Sequence, residues 1–160
     1  MLNITILCVG KIKESYFSDA ISEYSKRLSR YCKLTIHEVK DEATPDNPSS
    51  VEKNLILDKE GKRILEKIPD SAYVTALCIE GKTESSEKLA DQISSLAANG
   101  NSHLVYIIGG SMGLSDDVKN RADYKLSFSP MTFPHQLMRV ILLELLYRAF
   151  QINQGGKYHK

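Results

Sequence analysis

Apolar and polar positions along this chain fall into two alternating rhythms. Leu2–Val9 (LNITILCV) is a short β-rich run closed by Gly10 and predicts a strand. Ser15–Tyr31 follows with Tyr16, Ala20, Tyr24 and Leu28 four apart, and Phe17 and Ile21 beside them. That spacing predicts an amphipathic helix with Ser15 as its N-cap. Lys33–Val39 (KLTIHEV) alternates and predicts a half-exposed strand, and Lys40–Ser50, with two prolines, a mobile loop. Val51–Ile68 returns to helical spacing, capped by Ser49 or Ser50 and ended by Pro69. Tyr73–Ile79 (YVTALCI) reads as a buried strand stopped by Gly81. A helix capped by Ser85 or Ser86 then runs through Ala98 and stops at Asn99-Gly100-Asn101. His103–Ile108 is a second buried strand, Asp116–Ala122 a helical turn and Asp123–Phe128 a last strand. Gln136–Gln151 is the longest apolar helical stretch, and Asn153–Lys160 reads as a frayed tail.

The order is therefore βαβαβαβ(α)βα, which predicts an α/β fold: a mainly parallel sheet with helices on both faces. Such folds bind ligands beyond the carboxyl ends of the strands, at a switch point in strand order. At 160 residues, with 42% hydrophobic and 26% charged residues, the chain suits one domain with a full core, 1–160. No run of about eighteen apolar residues is present, so no membrane helix is expected. The opening run lacks a basic leader, which makes a signal peptide unexpected and a cytoplasmic location the expectation. Cys8, Cys32 and Cys78 show no CxxC spacing and read as free thiols. A catalytic role for Cys32 has no basic activating motif around it to support it. The four histidines form no ligand motif, so no metal is expected.

Net charge is +1, but it is unevenly spread. From Lys119 onward seven basic residues face only Asp123 and Glu144, a local +5 against −4 for the rest of the chain. A basic quarter suits an anionic partner, and equally a set of solvated charges around a helix.

Three segments at strand ends are unlike simple turns. They are Ile79–Lys82, Gly109–Gly113 (GGSMG) and Ser127–His135 (SFSPMTFPH). The glycine run lets a ligand approach backbone N–H groups, and equally suits a tight turn. It is neither a P-loop nor GxGxxG, which disfavours a nucleoside triphosphate or a nicotinamide cofactor. The proline-bearing loop is rigid and apolar and suits a flat heteroaromatic ring, or a cap over the sheet edge. The last helix is apolar nearly all round, which calls either for deep burial or for a second copy of the chain. In the second case Arg139 and Arg148 flank the interface, with Glu144 and Arg148 paired at i, i+4. In the tail, Tyr158 and His159 between lysines can stack a base and contact phosphate.

Taken together, Ile6–Lys11, Asp58–Gly61, Glu80–Lys82, Ile108–Gly113, Leu126–Val140, Leu146–Ala149 and Tyr158–Lys160 resemble the RlmH (YbeA, OrfX) family of SPOUT methyltransferases over the whole chain. Met112 within the glycine loop is the one departure. The resemblance implies a C-terminal trefoil knot over about 103–160 and bent S-adenosyl-L-methionine between the knot loops. It also implies a homodimer with the site at its interface. The implied reaction methylates N3 of a pseudouridine, position 1915 in helix 69 of 23S rRNA, within the assembled ribosome. By matching motif, Leu77 and Gly109 should contact the cofactor. Phe128, Ser129, Pro130, Met131, Thr132 and Phe133 should wrap its adenine and ribose. Arg139, Tyr158, His159 and Lys160 are the substrate or catalytic candidates. His159 from the partner's tail is the expected base, with His135 as the alternative. Competing readings are a SPOUT enzyme with another RNA target and a non-enzymatic ribosome-binding module.

Overall fold

The computed structural model describes residues 1–160. Five strands, β1 (Leu2–Val9), β2 (Cys32–Val39), β3 (Tyr73–Thr83), β4 (His103–Ile108) and β5 (Tyr124–Ser127), form one sheet in the order β2-β1-β4-β3-β5. Every pairing in it is parallel. The helices are α1 (Ser15–Leu28), α2 (Ser50–Leu65), α3 (Ser86–Ala98), α4 (Asp116–Arg121) and α5 (His135–Asn153), in the alternation expected.

Strand side chains point alternately to the two faces, and each face has its own core. Ile4, Ile6, Cys8, Leu104 and Tyr106 face α1, α3 and α5. Leu7, Val9, Val105 and Ile107 face the α2 and α4 side, with Ile64 and Val118. Full burial of Leu142, Leu143 and Leu146 on α5 is worth about 1.5–3 kcal/mol each, so the last helix is a main anchor of the first core.

The local signals mostly act as read. Ser49 caps α2 in a reciprocal capping box with Glu52, and Ser85 caps α3. Several boundaries differ; α2 ends at Leu65 and not Ile68, and β5 is shorter, Tyr124–Ser127. Ser15 is the first helical residue of α1; Glu14 is the N-cap and offers no side-chain hydrogen bond. That helix ends at Leu28, because Tyr31 N–H bonds back to Leu28 in a final turn and Cys32 already pairs with Leu2. Gly81 does not stop β3. The strand leaves its ladder after Leu77, bulges, and pairs again as Lys82 with Leu126 and Thr83 with Ser127. Gly81 is where it returns: a Cβ there would lie 2.7 Å from the carbonyl carbon of Leu126.

The chain reaches β5 by passing over β3, since β4 and β5 are not neighbours. It then crosses the carboxyl edge of the sheet and descends the opposite face as α5, against α1 and α3. The segments that connect β4 to α4 and β5 to α5 therefore share that edge.

Because the obstacle at Gly81 is backbone and cannot rotate away, Gly81→Val should cost about 1–3 kcal/mol. Urea denaturation of both proteins should show a lower midpoint with an unchanged slope.

Candidate functional site

At the carboxyl ends of β3, β4 and β5 lies a cavity of about 730 Å³, within the usual range for a cofactor site. Its floor and walls come from the three unusual segments. Leu77–Glu80 contributes the bulged end of β3, Ile108–Leu114 the loop after β4, and Leu126–Ser129 with Met131–His135 the loop before α5.

The glycine loop closes tightly: Gly113 N–H donates to Gly110 O at 3.1 Å, and Gly113 has φ of +89°. At Gly109 the requirement is space. A Cβ there would strike the carbonyl of Gly113, so only glycine leaves the loop closed and its backbone open to the cavity. Behind it, a Cβ on Gly110 would come within 3.3 Å of buried Glu60 of α2. Glu60 Oε2 also accepts the Glu42 N–H at 2.9 Å, which ties the segment after β2 to the back of this loop. Burial holds the Glu60 carboxyl above the usual carboxylate range.

The opposite wall is stiffened from within. Ser127 Oγ donates to Ser129 O at 3.2 Å, and Met131 N–H donates to Ser129 Oγ at 3.0 Å. Leu77, Gly109, Phe128, Ser129, Met131, Thr132 and Phe133 all line the cavity. Pro130, expected to contact the cofactor, is exposed and is not among the lining residues.

Several lining residues were not singled out from sequence. Lys119 of α4 pairs with Glu80 at the rim. It lay in what read as a helical turn, and its partner lies 39 positions upstream. The half-buried thiol of Cys78 also lines the cavity, and burial, then Glu80, push its pKa up. Cys8 and Cys32 are deeply buried, their thiols pushed up to about 12 and about 11, which leaves Cys32 unsuited to nucleophilic work. No group of three or more His, Cys, Asp or Glu side chains is disposed to hold a metal ion.

His135 lines the cavity at the start of α5. Burial, then Arg139, hold its pKa below 6.5, so the ring is neutral at physiological pH. Arg139 departs from expectation. Instead of flanking an external interface it is buried, 1% exposed. Nη1 donates to Glu38 Oε2 at 2.6 Å, and Nη2 donates to Gly10 O at 2.7 Å and Val9 O at 3.2 Å. Its partners are the ends of β1 and β2, and it does not line this cavity.

The tail is not frayed. Gly156 N–H donates to Gln151 O, and the chain folds back along α5. Tyr158 OH donates to Glu144 Oε2 at 2.7 Å, with its ring edge-on to Tyr147 and Arg148 over its face. The Glu144 carboxylate, then burial, hold the Tyr158 phenol above its usual range. His159 Nε2 lies 2.7 Å from Glu87 Oε1 and Nδ1 lies 3.2 Å from Arg148 Nη1. Within one chain neither Tyr158 nor His159 lines the cavity.

A family model described as "Predicted SPOUT methyltransferase" matches residues 2–159. Proteins named ribosomal RNA large subunit methyltransferase H from Clostridium novyi and Clostridioides difficile are each 60% identical over 159 residues, spanning 99% of this chain and all of theirs. A putative namesake from Methanococcus maripaludis is 58% identical over the same span. A solved probable methylase family protein from Haemophilus influenzae Rd KW20 shares the fold with TM-score 0.53 at 12% identity, over 96% of this chain and 67% of its own. The fold and the cavity at its carboxyl edge thus belong to a SPOUT-type methyltransferase. The chain is a member of that family, in the group of relatives that carry the methyltransferase H name.

Two outcomes follow from this geometry. Gly109→Ala should keep the circular dichroism of the fold but distort the loop, and lower affinity for the methyl donor at least tenfold by calorimetry. The unfolded chain protonates at histidine before folded His135 does, so stability should fall as pH drops through 6.5. His135→Gln should flatten that part of a stability–pH profile.

Proposed function

We propose that this protein methylates N3 of a pseudouridine in helix 69 of large-subunit rRNA, using S-adenosyl-L-methionine and acting as a homodimer on the assembled ribosome. The glycine cradle at Gly109–Gly113 facing the stiff loop Phe128–Pro134 carries the reading. That pairing offers unobstructed backbone on one side and apolar surface on the other, which fits a flat adenine held by main-chain hydrogen bonds. The near relatives share the whole length of the chain, and their name supplies the ribosomal RNA substrate. The homodimer reading draws on Leu137, Val140 and Ile141, a half-exposed apolar strip on α5. The knotted segment of this reading is 103–160, in keeping with the crossing of β3 and the return through α5.

When bound, the cofactor supplies an electrophilic methyl group. The residues around the cavity would have to bring N3 within about 3–3.5 Å of that methyl carbon. Leu77 and Gly109 would hold the donor on one side, and Phe128, Ser129, Met131, Thr132 and Phe133 would hold its ring on the other. The N3 proton must leave as the new bond forms, which requires a base or a stabiliser of the imide anion. His135, neutral and in the cavity wall, meets the requirement within one chain. In a dimer, the partner's tail brings a second imidazole and the Tyr158 phenol, and His159 is the base of this proposal.

Calorimetry should show S-adenosyl-L-methionine binding in preference to ATP and NADH, and labelled methyl should appear on N3 of ribosomal pseudouridine. A folded dimer with no such affinity and strongly salt-dependent RNA binding would identify a binding module instead. Removing residues 157–160 should leave cofactor affinity within twofold and lower single-turnover methylation at least a hundredfold. His159→Ala should reproduce most of that loss, and an unchanged rate would shift the base to His135.

A further inference from the structure

A second cavity, of about 590 Å³, opens beside the first at the carboxyl ends of β1 and β2. Its lining is the more polar of the two. Lys11, Lys13, Ser15, Ser18 and Ser22 line it, with Arg139 from α5. The first turn of α1 faces it without a side-chain cap and without an acidic residue in that turn. The N–H groups of Ser15, Tyr16 and Phe17, the usual orphans of a helix start, have no protein acceptor there. The helix dipole adds roughly half a positive charge at the same point.

Arg139 supplies an independent observation. Its side chain is 2% exposed, yet the residue forms part of this cavity's wall. Its Nε is the one buried side-chain nitrogen or oxygen in the protein without a hydrogen-bond partner. A buried guanidinium N–H left unmatched costs about 1–3 kcal/mol, a cost that an acceptor reaching it through this wall would remove. Two carboxylates also line the site, Glu14 and Glu38. Glu38 Oε2 pairs with Arg139 and accepts the Ile12 N–H at 3.1 Å, which offsets one carboxylate against one guanidinium. With that pair offset, two lysines and a helix start stand against Glu14.

The two cavities share a wall. His135 and Met138 of α5 face the first, whereas Arg139 faces the second and Gln136 accepts the Lys13 N–H at 3.2 Å beside it. One helix about 10 Å across separates them, a span comparable to one or two nucleotides of an extended strand.

We propose that the cavity at the start of α1 binds a backbone phosphate of the RNA substrate, one or two nucleotides from the base presented to the cofactor cavity. Lys11 and Lys13 supply charge, the α1 N–H groups and Ser15 and Ser18 supply hydrogen bonds, and Arg139 Nε completes the set. The anion site itself is independent of the methyltransferase reading; that reading supplies the source of the phosphate.

Two measurements on the full-length protein test this. Titration with inorganic phosphate, followed by amide NMR, should shift the Ser15–Ser18 amides and the Arg139 Nε–H signal, and Lys11→Ala/Lys13→Ala should abolish the shifts. In methylation of intact ribosomes the same double variant should raise KM about tenfold or more, with cofactor affinity unchanged. It should also make the log–log salt dependence of ribosome binding shallower by one to two. Lys11→Arg/Lys13→Arg should behave as wild type. No phosphate-induced shifts and an unchanged KM overturn the proposal while wild-type methylation stands. Shifts with an unchanged KM and salt slope mark a site for free phosphate only and overturn the RNA assignment. Wild-type protein that methylates no ribosome defeats the enzymatic reading instead, and the NMR arm still decides whether the anion site exists.

Discussion

Arg139 is the point at which the end of the chain is fastened to its beginning. Its guanidinium bonds the carbonyls of Val9 and Gly10, where β1 runs out, and the Glu38 carboxylate near the end of β2. Val9 stands on the last rung of the β1–β2 ladder and Gly10 just past it, so the guanidinium caps the strand where its pairing ends. A buried charge with three acceptors sets both the height and the rotation of the first turns of α5. Everything at the carboxyl edge inherits that setting: the loop Phe128–Pro134 enters the helix there, His135 is presented to one cavity, and Gln136 pins Lys13 beside the other. The same charge, next to burial, keeps His135 neutral. The guanidinium is thus both a clamp and a local electrostatic bias.

The hydrophobic leucines of α5 complement this clamp without replacing it. Leu142, Leu143 and Leu146 bring the helix onto the α1 and α3 face, but burial is non-directional and would tolerate rotation or sliding. Hydrogen bonds to fixed carbonyls do not. The division resembles that in the glycine loop, where apolar Leu114 and Val118 hold α4 to the opposite core while the Gly110–Gly113 turn sets the path of the backbone.

Element order was legible because each signal is local. Ser49 with Glu52, Ser85, and the alternation of LNITILCV and HLVYII all act within a few residues. Strand order, the passage over β3 and the fate of the tail were not, because the partners lie far apart in the chain. Arg139 sits among apolar residues, and a lone charge in such a stretch reads as surface until Glu38, 101 positions away, is found opposite it. Tyr158–Lys160 looks like a loose end until Glu144 and Glu87 are placed beside it. Gly81 carries the usual sign of a strand stop and is instead the residue that lets a bulged strand rejoin its neighbour. The candidate cofactor residues came from the resemblance. Residue chemistry alone left the glycine loop between a turn and a cradle, and Gly109, where a Cβ would meet the Gly113 carbonyl, serves as both.

The bulge in β3 separates two properties that are usually coupled. Leu126 stands opposite Leu77 before the excursion and opposite Lys82 after it, so Cys78–Gly81 hangs outside the ladder while the strands on either side stay in step. That excursion is a wall of the large cavity. A residue added to or removed from it changes the depth of the cavity without shifting a single strand pairing elsewhere. Sheet architecture and pocket dimensions can therefore diverge independently across related chains, with the length of this short overhang as the adjustable element.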